Sequence, residues 1–133
     1  MKKPVKKILP VSEIVTKSGL LYTVKLTVRH KELQFIVDCG CVASVIDKSV
    51  AQDVNAAFAG VLMPRLFTPG GGLVKTVFAT ILIFDVAYRV QAALFTEEMK
   101  VLPPGIEGII GNDLLSKWKA TINLNDHTLT IYL

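Results

Sequence analysis

Alternating apolar and polar residues mark β-strands along most of this 133-residue chain. The clearest case is 22–29, where tyrosine, valine and leucine alternate with threonine, lysine and arginine, the period-two pattern of a strand with one buried face. A glycine-rich stretch at 68–72 lies between apolar residues and a long β-branched run, which predicts a hairpin. Strands are predicted at 22–28, 33–37, 42–46, 73–84, 86–94, 120–124 and 128–133.

Two short helices complete the predicted secondary structure. Asp47 is suited to cap a helix over about 48–54, because its carboxylate can accept hydrogen bonds from first-turn N–H groups. Asn112 is suited in the same way to cap a helix that runs to about residue 118. A strand-rich chain is protected from edge-to-edge pairing when its sheet closes on itself. The sequence therefore predicts an all-β domain, a closed β-barrel with one or two short helices.

Composition fits one globular domain, and the charge is concentrated at one end. The chain is 51% hydrophobic and 20% charged, and its length is that of a single domain with its own core. Four of the fifteen Lys and Arg residues fall within 1–7, which leaves eleven positive charges against eleven negative ones elsewhere. We therefore predict a flexible basic head at 1–10 and a single domain at 11–133, with no nucleic-acid contact outside the head.

The location expected for such a chain is the cytoplasm. No apolar run reaches the roughly 18 residues of a membrane-spanning helix, and the basic first residues are not followed by the apolar core of a signal peptide. Cys39 and Cys41 are too close in sequence to form an unstrained disulfide, which suits a reducing compartment. No membrane partner is expected.

Asp38 is the leading candidate for chemistry. An apolar strand precedes it, and Gly40 and a second apolar strand follow it, so its carboxylate is expected to emerge at a strand end inside the fold. Asp-x-Gly is also a common structural turn, which is the simpler interpretation of the motif taken alone. The surrounding pattern favours a functional role, because three further landmarks follow in order along the chain. They are Ser44-Val45-Ile46, the glycine-rich stretch, and Ile109-Ile110-Gly111-Asn112-Asp113.

Together with Phe35-Ile36-Val37-Asp38-Cys39-Gly40, these landmarks resemble the retropepsin-like aspartic proteases from about residue 22 to residue 133. That family carries apolar-apolar-Asp-Thr/Ser-Gly-Ala, then a flap hairpin, then apolar-apolar-Gly before a helix. The resemblance implies a retropepsin-like barrel in which Asp38 is catalytic and Cys39 and Gly40 form the active-site turn. It also implies a flap tip at Pro69, Gly70, Gly71, Gly72 and Leu73. Candidate walls of the substrate pocket are Val42, Ala43, Leu66, Phe67, Leu73 and Ile110.

The chemistry of such a site needs two carboxylates. Two carboxyl groups about 3 Å apart cannot both ionise, so one acts as base on a water while the other acts as acid. The sequence holds one Asp-x-Gly in this setting, so the second carboxylate is expected from Asp38 of another copy across a twofold axis. We therefore expect a homodimeric endopeptidase that cleaves an extended peptide or polyprotein without a metal or cofactor.

Two cysteines depart from the family pattern. Cys39 stands where the family has Thr or Ser, and Cys41 stands where it usually has Ala. In the family, that hydroxyl reaches the partner's turn across the dimer axis, whereas a thiol is a weaker donor and acceptor. One alternative is therefore a weakened or inactive retropepsin-like module that binds peptides or dimerises. Another is an unrelated β-barrel adaptor in which Asp38 merely makes a turn.

The cysteines also suggest two other kinds of site, a zinc site and a cysteine nucleophile. With His30 and His127 they would number four zinc ligands, but Cys-x-Cys does not match the usual spacing of structural zinc sites. A cysteine nucleophile would need a neighbouring histidine, and the sequence places neither histidine beside a cysteine. Both histidines are more simply interpreted as exposed turn residues.

Overall fold

The computed structural model of the protein describes residues 3–17, 19–47, 58–64, 73–93 and 105–133. Within these ranges the chain forms ten strands and one helix. In chain order the elements are β1 (Lys6–Thr16), β2 (Gly19–Val28), β3 (Lys31–Val37), β4 (Val45–Asp47), β5 (Phe58–Pro64), β6 (Leu73–Ile83), β7 (Val86–Ala93), β8 (Ile106–Ile110), α1 (Asn112–Lys117), β9 (Thr121–Asn123) and β10 (Thr128–Tyr132).

Six of the strands close into a barrel. The sheet order is β5-β6-β7-β4-β8-β3-β2-β1-β10-β9, and an additional antiparallel pairing of β2 with β6, at Val28 and Ile83, joins the ring. Two strand pairs, β3 with β8 and β4 with β7, are parallel. The predicted all-β closed barrel is therefore confirmed.

The buried core combines residues of the barrel strands with residues of β10 and α1, and it explains the alternating pattern. On β2, Val24 and Leu26 are buried while Lys25 and Thr27 are exposed, as the period-two pattern predicts. At one end of the core the indole of Trp118 donates a hydrogen bond to the Tyr88 hydroxyl at 2.8 Å. Other fully buried side chains of this core include Phe35, Ile46, Ile81, Ile83, Ile110, Leu129 and Ile131.

The flexible head predicted at 1–10 is wrong from residue 6 onward. Lys6 to Pro10 belong to β1 and pair antiparallel with β10, with Lys6 opposite Tyr132. Before the strand begins, Val5 and Leu133 exchange two backbone hydrogen bonds of 2.8 and 2.9 Å. The strand tolerates its charged residues because Lys6 is exposed and Lys7 lies over the ring of Phe84.

Other predicted elements differ at their ends. The strand expected at 42–46 begins only at Val45, because the preceding residues continue the turn after Asp38. The predicted C-terminal helix is confirmed as α1, but its cap is Gly111 and not Asn112. The hairpin at 120–133 is confirmed as β9 and β10. Strand β5 was not predicted, and the helix expected at 48–54 lies outside the described residues.

None of the helical segments in the described part of the chain combines the length and hydrophobicity that crossing a membrane requires.

Candidate active site

Asp38 lies immediately after β3, at the end of a central barrel strand. Its backbone N–H donates to the carbonyl oxygen of Ile110 at 3.0 Å, which extends the parallel pairing of β3 and β8 by one residue. Because β3 is hydrogen-bonded on both sides, to β2 and β8, the position of Asp38 is set by the rigid barrel. Its side chain is half-buried.

The turn after Asp38 folds back onto the carboxylate. The N–H of Gly40 donates to Asp38 Oδ1 at 2.9 Å, and the N–H of Cys41 donates to the Asp38 carbonyl at 3.1 Å. A Cβ at residue 40 would lie 3.2 Å from the same carboxylate oxygen, so glycine leaves room for the side chain of Asp38. Cys39 and Gly40 are exposed, which leaves this face of the turn open.

The segment from β8 into α1 braces the turn from behind. Asn112 N–H donates to the carbonyl of Cys41 at 2.7 Å, and Asp113 N–H donates to that of Val42 at 3.2 Å. The approach is so close that a Cβ on Gly111 would lie 2.6 Å from the Cys41 carbonyl oxygen. The two motifs that the sequence singled out, around Asp38 and around Gly111, therefore lie in direct contact.

Ser44 and Asp113 form a hydrogen-bonded centre that sequence reasoning did not assign. Asp113 Oδ1 accepts from the Ser44 N–H at 2.8 Å, from the Ser44 hydroxyl at 2.6 Å and from the Leu114 N–H at 2.8 Å. The Ser44 hydroxyl oxygen in turn accepts from the Gly111 N–H at 2.8 Å. One buried hydroxyl and one carboxylate thus fasten the end of the active-site turn to the start of α1.

Cys41 is a buried thiol beneath the turn. Its Sγ lies 3.1 Å from the carbonyl oxygen of Ala43. Burial raises the pKa of the thiol, and the negative charges of Asp38 and Asp113 act in the same direction, while the contact with Ala43 opposes them. The thiol therefore stays protonated at neutral pH, which is the wrong state for a nucleophile.

The predicted pocket residues differ in their exposure to solvent, and some of them lie outside the described residues. Val42 is 83% exposed and Ala43 is half-buried, so both lie near the open face of the turn. The prediction that Ile110 lines the pocket is wrong, because Ile110 is fully buried in the barrel core. Leu73 begins β6, but its side chain lies outside the described set. Leu66, Phe67 and the flap tip Pro69, Gly70, Gly71 and Gly72 lie outside the described residues.

Both histidines lie in exposed turns. His30 is in the turn between β2 and β3, and His127, in the turn before β10, is 3.0 Å from Glu13. In the described ranges, no group of three or more His, Cys, Asp or Glu side chains is arranged to hold a metal ion.

Comparison with known proteins identifies the fold. No protein-family model and no curated protein matches the chain. Among solved structures it is similar to a retropepsin-like aspartic protease from Rickettsia conorii, at 17% identity and a TM-score of 0.51, over 99% of this chain and 96% of that one. It is also similar to the retroviral protease-like domain of Ddi1 from Leishmania major, at 17% identity and a TM-score of 0.53, over 84% and 92% of the two chains. The chain therefore has the retropepsin-like fold.

Proposed function

We propose that this protein is a homodimeric aspartic endopeptidase whose site is built from Asp38 of two copies. The observation that carries the proposal is the placement of Asp38 in a braced turn, at the end of a central strand, within a retropepsin-like fold. The brace matters because acid–base catalysis requires the carboxylate to be held in one position.

The mechanism follows from bringing two such carboxylates together. At a separation of about 3 Å, the pair shares one proton, so one Asp38 is ionised and the other protonated. The ionised carboxylate takes a proton from a water placed between them, and that water attacks the scissile carbonyl. The protonated carboxyl donates a hydrogen bond to the carbonyl oxygen, and a proton then passes to the leaving nitrogen.

The proposed substrate is an extended peptide, free or within a polyprotein. Peptides in this conformation bind through main-chain hydrogen bonds and place alternate side chains on opposite sides. Exposed Val42 and half-buried Ala43 offer apolar surface directly after the active-site turn. Strands β5 and β6 pair antiparallel, with Pro64 opposite Leu73, so the predicted flap falls in the connection between them.

The experiment is cleavage of an unfolded protein and of a peptide library, with and without pepstatin. We expect pepstatin-sensitive products, and specific activity that falls on dilution because monomers hold half a site. The matched control is Asp85→Asn, which changes an exposed aspartate in the turn between β6 and β7. Peptide binding without cleavage would instead support a module that has lost hydrolysis. Activity that is independent of concentration would contradict the shared site.

A further inference from the structure

The ladder formed by β1 and β10 has a buried face and an open face. Lys6 lies opposite Tyr132, and Ile8 lies opposite Thr130. Because side chains alternate along a strand, these four side chains point to the same side of the ladder. Ile131, which lies between Thr130 and Tyr132 and points the other way, is fully buried in the core. Lys6, Ile8 and Tyr132 therefore lie on the open face.

Large apolar side chains are exposed at this end of the ladder. Ile8 is 60% exposed although it lies within a paired strand, and Tyr132 is 37% exposed. Val5, whose backbone exchanges hydrogen bonds with Leu133 just beyond the strands, is 59% exposed. A single exposed apolar residue is ordinary on a protein surface, but three at one end of one ladder indicate an apolar partner.

Three lysines are exposed at the same end. Lys3 and Lys6 lie on either side of Val5 in the chain. Lys119 directly follows Trp118, whose carbonyl oxygen accepts a hydrogen bond from the Tyr132 N–H at 2.9 Å. In the described part of the chain, none of the three lysines forms an ion pair with a carboxylate. Positive charge is therefore concentrated where the apolar side chains are exposed.

We infer that this end of the molecule adsorbs to the surface of an anionic lipid bilayer. We call it the basic-apolar end, and it consists of Lys3, Val5, Lys6, Ile8, Lys119 and Tyr132. The lysine ammonium groups face the negatively charged headgroups, while Val5 and Ile8 enter the boundary between headgroups and acyl chains. Tyrosine is favoured at the same depth, because its ring is apolar and its hydroxyl stays hydrated.

Surface adsorption differs from crossing the membrane. The sequence predicts no membrane partner because it contains no spanning segment and no signal peptide, whereas adsorption needs neither. Adsorption needs two attractions that act together, since a basic cluster or a small apolar patch alone binds only marginally. The basic-apolar end supplies both, and the inference does not depend on the proposed hydrolysis.

A bilayer is favoured over other partners because it uses both kinds of side chain. DNA or RNA would pair its phosphates with the lysines but would leave Val5 and Ile8 in water. An apolar surface of another protein would cover Ile8 but would desolvate the lysines without an opposite charge. An anionic bilayer offers negative charge and carbon surface side by side.

The first test measures binding to vesicles. The full chain is sedimented with phosphatidylcholine vesicles that contain or lack phosphatidylglycerol, at low and at high salt. We expect the partition coefficient to be at least about tenfold higher with the anionic lipid, and to fall as salt is added. Equal sedimentation with both kinds of vesicle, or with neither, would overturn the inference.

Paired charge variants show whether this end makes the contact. Lys3→Gln/Lys6→Gln is expected to lower partitioning onto anionic vesicles by about tenfold or more, because each lysine near the surface contributes on the order of fivefold. Lys25→Gln/Lys31→Gln is the matched control, since it removes the same charge from exposed positions on β2 and β3. Circular dichroism checks that both variants fold. An equal loss in both would mean that net charge alone acts, and the inference would be wrong.

A second pair of variants tests the apolar contact. Ile8→Ser is expected to lower partitioning by at least about fivefold, because it removes carbon surface that enters the bilayer. Val15→Ser is the matched control, because Val15 is 84% exposed and lies further along the same strand. Unchanged partitioning of folded Ile8→Ser would contradict an inserted apolar contact.

The remaining outcomes separate a bilayer from nucleic acid and from the active site. Binding to duplex DNA that is lost in Lys3→Gln/Lys6→Gln, with no binding to vesicles, would make this end a nucleic-acid contact and overturn the inference. Vesicle binding that persists in Asp38→Asn supports the inference whether or not the protein hydrolyses peptides. Vesicle binding that is lost in Asp38→Asn would place the contact at the active-site turn and contradict the inference.

Discussion

The hydroxyl of Ser44 lies 2.6 Å from Oδ1 of Asp113, a contact between residues 69 positions apart in the sequence. Ser44 is fully buried, and its hydroxyl oxygen accepts a second hydrogen bond from the Gly111 N–H. Through this one side chain the turn that carries Asp38 is tied to Gly111, the residue between β8 and α1, and to α1 itself.

Removing that hydroxyl tests whether the brace supports catalysis. Ser44→Ala leaves the Gly111 N–H without its acceptor, so we expect a loss of about 1–3 kcal/mol in the free energy of unfolding. We also expect a lower kcat, because the turn loses its fixed position, while Ser44→Thr keeps the hydroxyl and retains more of both. Thermal unfolding and peptide turnover measure the two effects, with exposed Ser12→Ala as control. Equal values for Ser44→Ala and Ser12→Ala would contradict the role of the brace.

Cys39 offers a second test, at the open face of the turn. A hydroxyl makes stronger hydrogen bonds than a thiol, so Cys39→Thr is expected to tighten the dimer or to raise kcat/KM by up to about tenfold. Cys39→Ala, which offers neither group, is the matched comparison. Dimer dissociation and peptide turnover are measured for all three proteins in reducing buffer. If Thr is no better than Ala in either assay, residue 39 does not hold the two turns together.

Cys41 makes the fold sensitive to alkaline pH. Because burial raises the pKa of its thiol above the ordinary value of 9.0, the folded state retains a proton that the unfolded state releases. The stabilisation is therefore complete below pH 9 and is lost as the pH rises through the folded-state pKa. We expect unfolding free energies measured between pH 8 and 10.5 to fall less steeply for Cys41→Ala than for the wild type. Identical slopes would show that Cys41 does not contribute.

The alternation of apolar and polar residues predicted the strands that have one buried and one exposed face. Strand β2 was predicted because one face meets the core and the other meets solvent, so Lys25 and Thr27 interrupt the apolar residues. The first half of β1 was missed because its lysines resemble a solvated tail, whereas this half is held by pairing with β10, more than a hundred residues away. No local signal reports such a partner.

For the candidate site, too, the sequence predicted some residues correctly and missed others. The Asp38 turn and the Gly111 segment carry recognisable motifs, and the structure brings them into contact. The only sequence signal for the Ser44–Asp113 centre is that one hydrophilic residue stands close to each of the two motifs. Ile110 was misplaced because every residue at the end of β8 is apolar, so the alternation that separates core from pocket is absent.

Asp38→Asn tests the catalytic residue itself. The change removes the ionisable group but keeps nearly the same shape, and it relieves the cost of bringing two carboxyl groups together. We expect peptide hydrolysis to be abolished, with a thermal unfolding curve like that of the wild type and a dimer that is no weaker. Activity above a few per cent of wild type in a clean preparation would rule out Asp38 as the catalytic carboxylate.

Subunit mixing tests the shared site most directly. In the first mixture, Asp38→Asn protein is equilibrated with an equal amount of wild type at a total concentration well above the dimer dissociation constant. In the second mixture, Asp85→Asn protein replaces Asp38→Asn, and hydrolysis is compared between the two. Random pairing puts half of the wild-type chains into mixed dimers with one carboxylate, so activity per wild-type chain should fall to about half in the first mixture. In the second mixture both proteins carry Asp38, so activity per Asp38-bearing chain should stay unchanged. Undiminished activity in the presence of excess Asp38→Asn protein would show that each chain works alone, and would contradict a site made from two copies of Asp38.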